Sequence, residues 1–242
     1  MSVMRYARLL AAAAAIGAAA VAGTALPAAA APAGNASRAG AAGGPLGGLT
    51  ANQIAARALH DLTSVSSVRF SESAKAAGTK LSARITLTRS ACAGVLSATG
   101  FGNFQFIQVG KTGWTLLTKQ FLKEFGYSQA QIDAYAGKWL KNDPMTGSDT
   151  SQLCSIKQFS KGFPKTGWTL GKVTTLSGHR VIAIANKKQK VTAYVLISAH
   201  PEFMKFTAGG ATATFSGYNA RVKISPPPAS KVVTSLPPPP GL

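Results

Sequence analysis

Between Leu81 and Thr88 every second residue is apolar: Leu81, Ala83, Ile85 and Leu87 alternate with Ser82, Arg84, Thr86 and Thr88. Successive side chains on a strand point to opposite faces, so a period of two predicts a strand with one buried and one wet side. The same texture returns at residues 68–74, 94–99, 103–109, 114–118, 172–176, 180–185, 190–197 and 211–215. Ser177-Gly178 and Asn186-Lys187-Lys188 supply turn residues between such runs. A chain that repeats this pattern so often is expected to build an antiparallel sheet, the kind that can leave one face to solvent.

Helical periodicity is confined to two places. Thr50 can cap a helix in which Ile54, Ala55, Ala58, Leu59 and Leu62 recur on one face. Residues 122–125, 128–136 and 151–159 predict a cluster of short helices in the middle of the chain. The order helix, strands, helices, strands over a body of ~170 residues reads as one α+β domain.

The ends have a different composition. Arg5 and Arg8 precede an uncharged, alanine-dominated run to Leu26, and Pro27 and four alanines follow. This predicts an export leader over residues 1–31, cleaved within 28–33. A retained membrane anchor is the competing reading; alanine's weak hydrophobicity and the breaks at Pro27 and Pro32 set it second. No twin arginine is present, which favours the general secretory route, and no cysteine stands at the cleavage region. Residues 32–49, almost all Ala, Gly, Pro, Ser and Asn, read as a disordered tether. The folded domain is then expected over 50–224. The proline runs at 226–228 and 237–240 read as an extended tail over 225–242.

Charge and cysteine usage bound the partners. The chain carries 26 Lys and Arg against 7 Asp and Glu. Losing Arg5 and Arg8 with the leader leaves 24 basic against 7 acidic groups, a net charge of +17. Such a field favours an anionic membrane or cell-wall surface, although a merely soluble, self-repelling surface explains it equally. Export argues against nucleic acid, and the aromatics do not sit among the lysines in a recognisable RNA-reading pattern. Cys92 and Cys154, the two cysteines of an exported chain, are expected to form one disulfide. His60, His179 and His200 have no ligand spacing, so neither metal nor cofactor is expected.

Enzyme signatures are missing. Lys-Thr-Gly-Trp-Thr-Leu occurs twice, at 111–116 and 165–170, but the flanking residues differ, so two similar turn-to-strand entries explain it better than a duplication. Lys-Thr-Gly is also part of the penicillin-binding signature, yet no Ser-x-x-Lys nucleophile accompanies it in the exported chain. No nucleophile elbow, zinc-protease motif or phosphate loop is found. A site built from Asp133, Asp143, Asp149 or His179 would rest on residue type alone. The conspicuous feature is instead a set of large apolar groups on or beside predicted strands: Phe70, Phe104, Phe106, Trp114, Val181, Val195, Phe203, Phe206 and Phe215. They can fill a core or line a hollow; dense packing is the ordinary outcome.

Several short motifs stand in an order that resembles a known group. Val65-Ser66-Ser67-Val68-Arg69-Phe70-Ser71, Gly137-Lys138-Trp139, Tyr194-Val195 before His200-Pro201, and the run from Phe215 to Ile224 ahead of Pro226 are similar to the actinobacterial LppX/LprG envelope lipoproteins. The resemblance spans about residues 50–232. It implies a LolA-like fold: a curved antiparallel half-barrel with helices covering the concave face and an apolar cavity beneath. It further implies a secreted, non-catalytic lipid carrier at the cell envelope that takes an acylated lipid or glycolipid, with Phe70, Leu81, Ile85, Phe104, Phe106, Trp114, Val181 and Val195 lining the cavity. Lys111, Lys119, Lys187, Lys188 and Lys190, at expected turns, are candidates for holding an anionic head group at the rim. The chain departs from the group in lacking the lipobox cysteine, so charge would have to replace the lipid anchor. The alternative is a basic envelope-binding or regulatory protein on the same scaffold without a functional cavity. A monomer is expected in either case.

Overall fold

A computed structural model describes residues 44–76, 78–100, 102–142 and 154–240. The expected leader, most of the tether, the start of the helix expected at 151–159, and Asp143 and Asp149 lie outside these residues. Among the described residues twelve strands form one sheet. In chain order they are β1 (Ser67–Ala76), β2 (Thr79–Thr88), β3 (Ala91–Ala98), β4 (Gly102–Val109), β5 (Thr112–Leu116), β6 (Trp139–Lys141), β7 (Trp168–Leu176), β8 (His179–Asn186), β9 (Val191–Leu196), β10 (Phe203–Ala208), β11 (Ala211–Ser216) and β12 (Val232–Val233). Across the sheet they run β12-β6-β5-β4-β3-β2-β1-β11-β10-β9-β8-β7. Every neighbouring pair is antiparallel except β12, which lies parallel to β6.

The helices pack on one face. Helix α1 (Ala51–Ser64) starts at a capping box in which Thr50 and Gln53 satisfy each other's backbone N–H groups. Its Ile54, Ala55, Ala58 and Leu62 are buried against β7, β9 and β10. Helices α2 (Lys119–Glu124) and α3 (Gln129–Tyr135), capped by Thr118 and Ser128, pack together beside β4, and α4 (Ile156–Ser160) packs on α1. Leu46, in the stretch read as tether, is fully buried in the same core.

The expectation of a curved half-barrel is overturned. The sheet is open, its order ending in β12 at one side and β7 at the other, and it is neither closed into a barrel nor strongly curled. Closure needs the outer strands to pair with a consistent stagger, and curling needs bulges that bend individual strands. Among the described residues the pairings shift register at two places, between Leu170 and Val173 and between Phe203 and Lys205. The second shift explains why β10 escaped the alternation pattern. Phe203 and Phe206, three apart, both face inward only because the strand is irregular between them.

Three features tie the sheet together. Cys92 on β3 is bonded to Cys154 just before α4 across a separation of 62 residues. At the start of β1, Asn219 Oδ1 accepts from the Ser66 N–H at 2.8 Å, and Tyr218 donates its hydroxyl to the Phe203 carbonyl at 2.7 Å. The motif of residues 216–219 thus clamps the ends of β1, β10 and β11. Finally, the segment after Pro228 returns to the sheet, with Val232 and Val233 paired on β6 and Gln131 donating to the Pro238 carbonyl at 3.3 Å.

Candidate functional site

The helix-covered face can be followed strand by strand from the register. Phe70, Glu72 and Ala74 of β1 stand opposite Phe215 and Ala213 of β11 on one side, and opposite Ile85, Ala83 and Leu81 of β2 on the other. The same face continues through Gly94, Leu96 and Ala98 to Phe106 and Phe104. Gly94 is needed there: a Cβ would lie 2.8 Å from the Phe106 ring. Toward β10 an aromatic chain runs from Phe70 through Phe215 and Phe206 to Phe203 and Phe163, with successive centroids 4.7–5.7 Å apart. Phe104, Phe121 and Phe125 form a second aromatic wall at the other side.

Between these walls, toward the hairpin tips, the inner face is small. Ala74, Ala83, Ala98, Ala208, Ala211 and Ala213 share it with Leu81. A depression of about 610 Å³ lies at this end, lined by Ala74, Leu81 and Ala98 of the inner face together with Ser73, Lys75, Lys80, Ser82, Ser97 and Asn103, which hold outward positions. Two residues in from Ala74, Glu72 is 7% exposed, and its Oε2 has no hydrogen-bond partner. Burial alone raises its carboxyl to about 7.

Of the residues expected to line a cavity, the structure brings Phe70, Leu81, Ile85, Phe104, Phe106 and Val195 to this one face. Trp114 and Val181 are buried but belong to the opposite face. Trp114 pairs with Ile107 and Lys141, one residue out of phase with inward Thr115 and Leu140; Val181 pairs with Leu196, out of phase with inward Ile182. The expected rim lysines are all exposed, but none lines the depression at the hairpin tips. Lys187, Lys188 and Lys190 sit in the β8–β9 turn and Lys111 in the β4–β5 turn, while Lys119 opens α2. Lys75 and Lys80, paired on the β1–β2 hairpin, line that depression from outward positions.

Two other depressions have different chemistry. At the opposite end of the sheet a cavity of about 790 Å³ is lined by Thr63, Ser64, Thr88, Arg89, Ser90 and Lys157 around the disulfide, a largely polar wall. A smaller one of about 370 Å³ gathers His60, Asp61 and His200, with His200 Nδ1 3.9 Å from Asp61 Oδ2. Burial, then Asp61, raises the neighbouring Glu202 carboxyl, and His179 and His200 oppose the shift. Among the described residues no group of three His, Cys, Asp or Glu side chains converges as a metal site.

Comparison with known proteins gives structural likenesses only. No family model matches the chain, and no curated protein matches it. The lipoprotein LppX of Mycobacterium tuberculosis is similar at 14% identity and a TM-score of 0.47, over 72% of this chain and 97% of that one. LprF of Mycobacterium bovis is similar at 13% identity and a TM-score of 0.45, over 73% and 96%. A conserved protein of Thermus thermophilus is similar at 13% identity and a TM-score of 0.38, over 76% and 99%.

Proposed function

We propose that this is an exported, non-catalytic carrier that binds an acylated lipid or glycolipid on the helix-covered face of its sheet. The observation that carries the reading is the alanine-rich stretch at the hairpin tips. Ala74, Leu81 and Ala98 lie on the helix-covered face between two phenylalanine walls, and Lys75 and Lys80 flank the same tips from outward positions. An acyl chain laid along that face would leave water at a gain of ~0.8 kcal/mol per methylene. An anionic head group would remain beside the two lysines. No bond is made or broken in this account.

Where the carrier works is suggested by the other face. Arg69, Lys75, Lys80, Arg84 and Lys205 occupy outward positions on β1, β2 and β10, interleaved with Ser71, Ser73, Ser82, Thr212 and Thr214. No outward position on these strands or on β11 is acidic. An uncompensated basic face of this kind supports residence at an anionic envelope surface.

The binding reading is tested by filling the alanine-rich stretch. A pyrene-labelled fatty acid titrated into delipidated protein should bind the wild type and lose at least ten-fold in affinity to Ala98→Trp, whose indole would fill the inner face beside Leu81. Equal binding by a folded Ala98→Trp variant would move the ligand elsewhere.

A further inference from the structure

Buried polar atoms without partners are rare in folded proteins, and each needs a reason. Glu72 is such a case at the centre of the inner face. Its register neighbours are Ala83 and Ala213, and the next positions on those strands are Leu81, Ile85, Ala211 and Phe215. None can donate a hydrogen bond from its side chain or supply a charge. One carboxyl oxygen is left unpaired at a site that is more than nine-tenths buried. A structural role does not account for it, because an apolar side chain of similar size would fit the same surroundings without the desolvation cost.

The surroundings indicate what is missing. Glu72 lies two residues in from Ala74, about 7 Å along the strand, on the same helix-covered face. A ligand laid along that face from the hairpin tips meets alanine methyls first and a lone acceptor next. We propose that Glu72 is the polar anchor of the binding site and selects acylated ligands that carry a hydrogen-bond donor, a hydroxyl or an ammonium group, close to the acyl chain. The inference rests on the carrier reading and narrows it to donor-bearing lipids such as acylglycerols, hydroxyacyl lipids or acylated sugars. The carboxylate accepts from the donor, and its register neighbours Ala83 and Ala213 carry only methyl groups beside it. A buried acceptor also works by exclusion, since a ligand without a donor leaves that oxygen unpaired.

The experiment compares two ligands of equal chain length, 1-monopalmitoylglycerol and methyl palmitate, on delipidated full-length protein at pH 8. There the Glu72 carboxyl, which burial raises to about 7, is mostly ionised and accepts only. The wild type should bind the monoacylglycerol about ten-fold or more tighter than the methyl ester, the usual scale for a hydrogen bond to a charged group. Glu72→Leu should abolish that preference, weakening the monoacylglycerol and strengthening the methyl ester, and Glu72→Gln, which retains an acceptor oxygen, should keep part of it. Equal binding of the two ligands by wild type leaves the carrier reading in place and overturns the role of Glu72. An undiminished preference in Glu72→Leu overturns it as well. Failure of wild type to bind either ligand overturns both, and the wild-type comparison decides the matter even if the leucine variant does not fold.

Discussion

At the scale of single residues, Glu72 links stability to pH. Its carboxyl holds a proton to about 7 in the folded protein against 4.5 for an ordinary glutamate. Between those values the native state binds the extra proton, so stability is full below about 4.5 and is lost as pH rises through 7. The loss amounts to at most ~3 kcal/mol at about 1.4 kcal/mol per pH unit. Urea denaturation of wild type and Glu72→Gln at pH 4.5 and pH 8 should show the variant gaining stability relative to wild type at the higher pH. A constant difference between the two proteins would contradict it. The residue was legible in the sequence as the one acid on the apolar parity of Val68, Phe70 and Ala74, an exception that an alternation pattern hides when it is read only for hydrophobic matches. Faces were less legible. The same hexapeptide puts Trp114 on the outer face and Trp168 in the core, its indole donating to the Pro164 carbonyl at 2.8 Å. Local sequence is identical in the two copies, so partner strands decide which side each tryptophan takes.

At the scale of elements, the strands with uninterrupted alternation could be read directly, as could the helix that Thr50 caps. The elements that escaped are those whose existence depends on distant partners. β6 has three residues and β12 two, too few for any period, and β12 lies between proline runs that argue against a strand. Val232 and Val233 pair because the chain between them and Ile224 brings them alongside Trp139 and Leu140, a parallel contact of the kind no local signal announces. Leu236 packs against the core beyond them. Deleting residues 226–242 should therefore lower the melting temperature and speed amide exchange at Trp139 and Leu140, as read by hydrogen–deuterium exchange. Unchanged exchange there would mean the tail contributes nothing to the edge of the sheet. The disulfide pairing, by contrast, followed from cysteine count and compartment alone. Closing a loop of 62 residues, it contributes on the order of 4 kcal/mol by the chain-entropy estimate.

At the scale of the whole molecule, composition foresaw a strongly basic chain but not where the charge would lie. Alternation places Arg69, Arg84 and Lys205 on wet faces individually; only the strand order β2-β1-β11-β10 sets them on one continuous surface. Binding to phosphatidylglycerol vesicles should weaken steeply between low and high salt, since screening shortens to about 3 Å at molar ionic strength. Charge reversal at Arg69 and Arg84 should weaken it more than reversal at Lys187 and Lys188, and equal effects would disperse the interaction over the whole surface. The open sheet also changes how a ligand could be held. Without closure into a barrel, shelter for an acyl chain has to come from the helices and phenylalanines laid over one face. That makes the protein as it leaves its host the most direct test of the carrier account. Native mass spectrometry of the secreted protein should show a bound mass that collisional activation releases and lipid extraction identifies as an acylated species. Protein that is uniformly ligand-free, from a host that supplies such lipids, would contradict it.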